Sequence, residues 1–148
     1  MIGLYEPSMS DKGLKISLHN GEPVHVFVDP ALVHRLVANL LDNELRHLVA
    51  GSSVTVSLRS EDDAAVLTVE DDGSGFAKEI KDRLFERGVK GQASPGHGLG
   101  LAFVEAVARA HGGSVTAANG ANGGARLEVR LPLAVQPVEV EPMMVSAD

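Results

Sequence analysis

No cysteine occurs in the 148 residues, which excludes a disulfide framework and any thiolate metal site. Aromatics are scarce, at 3%, so Leu, Val and Ala must build the core. There is no basic excess. Acidic residues number 20 against 13 basic ones, a net charge of −7, and a nucleic-acid partner would favour a basic stripe instead. No apolar run approaches the roughly 20 residues of a membrane span, and no signal peptide opens the chain. The domain is therefore expected to contact neither nucleic acid nor membrane. One domain remains, long enough to bury a core unaided. It reads as a cytoplasmic domain cut from a longer chain.

Alternation and turn residues organise what is there. "LKISLHNGEPVHVFVDP" alternates around Asn20-Gly21 and predicts a hairpin. Asp29 is placed to cap a helix with Pro30 at its first position, running to about Val49 and stopping at Gly51. Val54 to Leu58 and Ala65 to Val69 predict a second hairpin around Glu61-Asp62-Asp63. A short helix is expected at about Lys78 to Phe85. "ERGVKGQASPGHG" lacks periodicity and predicts a loop. "LGLAFVEAVARAH" predicts a helix closed by Gly112-Gly113. "SVTAANGANGGARLEVRLPL" predicts a last hairpin. The domain is expected over 14–133, after an upstream linker at 1–13 and before a mobile tail at 134–148. The order predicts an α/β sandwich, with a mixed, mostly antiparallel sheet and three helices on one face.

Three stretches carry chemistry. In "EDDGSGF", Asp71 and Asp72 end a strand before Gly73 and Gly75. A carboxylate leaving a buried strand can accept from an exocyclic amine, and glycines permit close backbone approach. A tight turn with solvated acids fits the same residues. In "GHGLGL", Gly96, Gly98 and Gly100 lie at a helix start, where free N–H groups can seat a phosphate. A loop entering a helix fits too. Gly100 inside the helix costs about 1 kcal/mol against Ala, so packing or ligand approach is the expected reason for it. In "NLLDNELRHL", Asn39 and Asn43 stand one turn apart on one face, with Arg46 and His47 a turn later. An amide oxygen can ligate Mg²⁺ whose charge is met mainly by phosphates. Taken alone, two surface amides are the plainer reading.

Together and in this order, the stretches resemble the GHKL superfamily, and most closely the catalytic ATP-binding domain of a bacterial sensor histidine kinase. The family's N-L-L-x-N-A-x-[KR]-[HY] helix is matched by Asn39 to His47. Its D-x-G-x-G box is matched by Asp71, Gly73 and Gly75. Its L-F-x-R segment is matched by Leu84, Phe85 and Arg87, and its G-x-G-L-G-L box by Gly96 to Leu101. The match covers about Leu14 to Leu133.

The resemblance implies a Bergerat-type ATP-binding fold with ATP and Mg²⁺ as cofactors. It implies catalytic roles for Asn39, Asn43, Arg46 and Lys90, with Asn43 as the metal ligand and Lys90 toward the γ-phosphate. It implies that Asp71 accepts from the adenine amine beside Gly73, Gly75 and Phe76. Arg46 and His47 would line the phosphates, and Gly96, His97, Gly98, Leu99, Gly100 and Leu101 would wrap them. The implied partners are an upstream dimerisation domain bearing the phosphoacceptor histidine, and a response regulator. None of His19, His25, His34, His47, His97 or His111 sits in an acceptor motif. The full protein would then lie on the cytoplasmic side of the inner membrane. Two alternatives share the residues: an anti-sigma-type serine kinase, and a degenerate nucleotide-binding module kept for protein contacts.

The chain departs from the family pattern in places. Gly88 and Val89 follow Arg87, where an aromatic is usual. Asn39 stands where gyrase-like relatives carry a water-activating Glu, which favours transfer to a protein over hydrolysis. Glu44 replaces a usual Ala on the line of Val37, Leu40, Leu41 and Leu48. An unpaired buried carboxylate is expensive, so it should find a partner, rise in pKa or swing to the site edge. It reads as an altered or engineered position whose replacement by Ala would raise stability or nucleotide affinity.

Overall fold

The computed structural model describes residues 11–21, 23–77, 81, 83–86, 100–121 and 123–134. They form five strands and two helices: β1 (Lys15–Asn20), α1 (Pro30–His47), β2 (Ser53–Glu61), β3 (Ala64–Asp71), α2 (Gly100–Ala110), β4 (Ser114–Asn119) and β5 (Ala125–Pro132). The sheet order is β1-β2-β3-β5-β4. Only β1 and β2 run parallel; the other three pairings are antiparallel. The expected mixed sandwich is found, with two helices among the described residues. The third expected helix, Lys78 to Phe85, falls largely outside them, as do the loop before Leu99, the linker before Asp11 and the tail after Ala134.

Register sorts the two faces. Val54 pairs with Asp71, Val56 with Val69, and Val69 with Leu127. These side chains share a face with Val115 and Val129, and all but Asp71 join one apolar cluster with Leu36, Leu40 and Leu41 of α1 and Val104, Val107 and Ala108 of α2. The opposite face carries Arg59, Glu61, Arg126, Glu128 and Arg130, linked by ion pairs. Val66 is fully buried there, in register between Arg59 and Arg130.

The first hairpin is not formed. Residues 23–29 have no strand, and β1 pairs instead with β2. A parallel pair needs a crossover, which α1 supplies. To reach the start of α1, the chain crosses the end of the sheet. Gly21 N donates to Leu58 O (3.2 Å), His25 O accepts from Ala134 N (2.6 Å), and Asp29 arrives beside His111. Val26 and Val28 pack on the core during this crossing, while Phe27 is 74% exposed. The alternation therefore reports one-sided burial of an extended segment. Pro23, which has no N–H, suits a crossing better than a ladder.

Asp29 caps α1 as expected, its Oδ1 accepting from Ala31 N (3.0 Å) and Leu32 N (3.3 Å). The helix ends at His47 with Leu48 as C-cap, slightly earlier than the sequence suggested. Gly112, in the left-handed conformation, closes α2. His111 joins the two helices. Its Nε2 accepts from Asp29 N (3.1 Å), and its Nδ1 donates to Val107 O (2.8 Å). That pattern requires the neutral ring protonated on Nδ1. His111→Ala removes both bonds and should cost about 1–2 kcal/mol of stability. Urea unfolding would show it as a lower midpoint at unchanged m; an unmoved midpoint would mean the clasp is idle.

Candidate functional site

The end of the sheet opposite the crossing gathers the chemistry. Asp71 closes β3 on the core face and is 5% exposed. A carboxylate there must be satisfied by fixed donors. Its Oδ1 accepts from Gly73 N (2.9 Å), one turn on, and from Ala125 N (3.1 Å), at the start of β5. The loop after β3 is equally fixed. Phe76 N donates to Asn119 Oδ1 (2.8 Å) at the end of β4. A Cβ on Gly73 would stand 2.7 Å from Leu48 Cδ2. Gly75 has φ +81°, and a Cβ there would stand 2.6 Å from Gly123 O. Gly75 is thus required by geometry before any ligand is considered, whereas at Gly73 the tip of the Leu48 side chain could yield.

α1 brings its polar residues to this end. Asn39 Nδ2 donates to Gly100 O (3.4 Å), tying α1 to the start of α2. Asn43 is half-buried one turn later, and Arg46 and His47 are exposed beyond it. Lys12 Nζ donates to Leu45 O near them. Partial desolvation, then the Lys12 and Arg46 cations, hold the His47 imidazole below its usual range. The expected amide face, the Asp71 loop and the start of α2 are therefore neighbours.

Other expectations sort as follows. Phe76 and Leu101 are partly buried against the core cluster. Gly100 has no described atom within 4 Å of a built Cβ, so none of the described residues crowds it. Lys90, Gly96, His97, Gly98 and Leu99 lie outside the described residues. Sequence reasoning missed Asn119 and Ala125, whose backbone and side chain fix the Asp71 loop. The glycine-rich "NGANGG" between them was the available signal.

The described residues hold no group of three His, Asp or Glu side chains able to bind a metal. A cation at this site would therefore depend on phosphate oxygens, with an amide such as that of Asn43 as the protein's share. No described helix is long and apolar enough to cross a membrane.

The family described as histidine kinase-, DNA gyrase B-, and HSP90-like ATPase matches residues 28–135. Sensor histidine kinase TrcS of Mycobacterium tuberculosis is 43% identical over 126 residues, 79% of this chain and 25% of that protein. Signal transduction histidine-protein kinase BaeS of Escherichia coli is 34% identical over 136 residues, 88% of this chain and 29% of that protein. The chain thus spans little more than a quarter of these relatives. Among solved structures, a mycobacterial sensor histidine kinase, MprB, superposes with a TM-score of 0.77 at 27% identity, covering 88% of this chain and 91% of that one. Full-length ShkA in complex with AMPPNP superposes with a TM-score of 0.78 at 27% identity, covering 95% of this chain and 30% of that one.

Glu44 has found a partner. It is 2% exposed and interacts with Asp71, while its Oε1 has no hydrogen-bond partner among the described residues. Burial first, then the bond to Asp71 and the Asp71 charge, push its pKa from 4.5 up to about 10. Below pH 4.5 folded and unfolded chains both carry this proton. Above it the unfolded chain ionises while the folded one does not. Stability therefore falls as pH rises through the window, by about 1.4 kcal/mol per unit, and stops falling near the folded value. Glu44→Gln removes this titration. Between pH 4.5 and 7 the wild type should lose roughly 3 kcal/mol more stability than the Gln variant, measured by denaturant unfolding. Parallel pH profiles would refute a buried, protonated Glu44.

Proposed function

The chain belongs to the histidine kinase-, DNA gyrase B-, and HSP90-like ATPase family, and on that premise we propose that it is the ATP-binding catalytic domain of a two-component sensor histidine kinase. The observation that carries the reading is Asp71. It is a buried carboxylate clamped by two backbone N–H groups, beside an amide-bearing helix and a helix start. The adenine amine would donate to Asp71, with the backbone at Gly73 and Gly75 close enough to meet the base. AMPPNP in the ShkA complex supports the nucleotide class. Asn39, Asn43, Arg46 and His47 would face the phosphates, with the start of α2 at Gly100 beside them. Lys90, Gly96, His97, Gly98, Leu99 and Leu101 would complete that side.

Mg²⁺, held by the phosphates and Asn43, would neutralise charge on the transferred phosphoryl group. The protein's own part is positioning and electrostatics, which suits phosphoryl transfer, since that chemistry asks little covalent work of side chains. Arg46 can meet phosphate oxygens bidentately. Asn39 is committed to Gly100 O and carries no base, which favours transfer to a protein acceptor over hydrolysis. The acceptor would be a histidine of a dimerisation domain, and a response regulator would take the phosphoryl group onward. In the whole protein this domain would face the cytoplasm below the inner membrane.

Calorimetric titration with ATP, with and without Mg²⁺, tests the reading. Saturable binding is expected for the wild type. Asp71→Asn exchanges an acceptor-only group for a mixed one and should weaken binding at least about tenfold. No binding by the wild type at millimolar nucleotide would overturn the proposal. Unchanged affinity in the variant would move the adenine away from Asp71.

A further inference from the structure

Helices α1 and α2 are joined by three directional contacts. Asp29 N, at the cap of α1, donates to His111 Nε2 (3.1 Å) just past the end of α2. The Arg35 guanidinium lies over the Phe103 ring, 4.5 Å from its centre. Asn39 Nδ2 donates to Gly100 O (3.4 Å). Residue numbers rise along α1 as they fall along α2, so the helices run antiparallel and the contacts are successive rungs between them. The first rung lies at the crossing, away from the site. The last joins the amide face of α1 to the first residue of α2. Arg35 stands one turn before Asn39, and Phe103 about one turn after Gly100, so the middle rung is the immediate neighbour of the last.

The last rung is weak by itself, because 3.4 Å exceeds the roughly 2.7–3.2 Å usual for an N–H···O bond. The apolar cluster that includes Leu36, Leu40, Val104 and Val107 holds the helices side by side, but burial is non-directional and sets no register along their axes. The middle rung supplies that register. Arg35 is exposed and makes no ion pair among the described residues, whereas Phe103 is partly buried against the core. The aromatic face thus gives the guanidinium a fixed seat. We propose that Arg35 is a positioning residue for phosphate binding: stacked on Phe103, it holds the start of α2 in register with the amide face of α1. The proposal rests on the phosphate side argued above. Arg35 acts through α2 and need not touch the nucleotide. Its leverage is bounded, since a contact shifts an equilibrium by no more than its own free energy. For an exposed cation–π contact that is about threefold.

The test is calorimetric titration with ATP and Mg²⁺ at about 0.15 M salt, where distant charges are screened. It compares the wild type with Arg35→Ala, Arg35→Lys, Phe103→Leu and the Arg35→Ala, Phe103→Leu double variant, with a urea midpoint for each. Arg35→Ala and Phe103→Leu should each weaken ATP binding about threefold. The double variant should bind no more weakly than either single one, because both remove the same contact. Arg35→Lys keeps a cation for the ring and should recover most of the loss. A packing role alone would lower the urea midpoints and leave ATP affinity unmoved. A direct pull of the Arg35 charge on the phosphates would weaken binding in Arg35→Ala and not in Phe103→Leu. Either result overturns the proposal. If the wild type binds ATP and every variant binds it equally well, the inference fails while the nucleotide site stands. If the wild type does not bind ATP, the reading of the site fails and the inference with it.

Discussion

A carboxylate on the core face of a sheet is the constraint from which this end of the molecule follows. Asp71 stands in line with Val69 and Leu67, where the pattern of β3 calls for an apolar side chain. It can stand there only because the strand ends at that point and backbone donors converge on it. The turn after Asp71 must fold back tightly enough for Gly73 N to reach Oδ1. That brings residue 73 against the tip of the Leu48 side chain. Strand β5 must begin beside it, so that Ala125 N can donate. The turn before β5 must clear Gly75 and present Asn119 to Phe76 N. One buried carboxylate thus draws two separate loops together.

α1 depends on a different constraint and meets the first. The parallel pairing of β1 with β2 forces a long connection, and α1 is what the connection contains. The helix is held at both ends. His111 and the Asp29 cap fix its start against α2. Asn39 fixes its middle to Gly100, and Lys12 meets its last turn. Between these anchors, Leu36, Leu40 and Leu41 bury one stripe. An adjoining face carries Asn39 and Asn43. The helix therefore belongs equally to the core and to the site, and neither can shift without the other.

The legible parts of the sequence were those in which local chemistry and global packing agree. The second and last hairpins, the Asp29-Pro30 helix start and the Gly112 stop all appear where turn and cap residues put them. The first hairpin is absent because alternation reports which side of an extended chain is buried, not whether a neighbour hydrogen-bonds to it. Val26 and Val28 satisfy that pattern while crossing the end of the sheet. At the site, Asp71, Gly73, Asn39 and Asn43 were visible as residue types at fixed spacings. Asn119 and Ala125 were not, because their role is a contact between strands distant in sequence. Glu44 lay between these cases. Its cost was legible from the helical stripe, but its partner was on another element.

The pairing of Glu44 with Asp71 explains how a chain can tolerate a carboxyl in its core while keeping its site geometry. An unpaired carboxylate beside Leu40 and Leu41 would carry a desolvation cost large enough to unfold a small domain. A second negative charge beside Asp71 would add repulsion to it. One proton removes both difficulties, since a protonated Glu44 is neutral and its hydroxyl has an acceptor within reach. The remaining cost is the orphaned Oε1, a single neutral acceptor, which is far smaller. The helix periodicity makes this arrangement unavoidable once residue 44 is acidic. About 100° separates successive residues, so Asn43 turns toward the amide face while Glu44 turns inward.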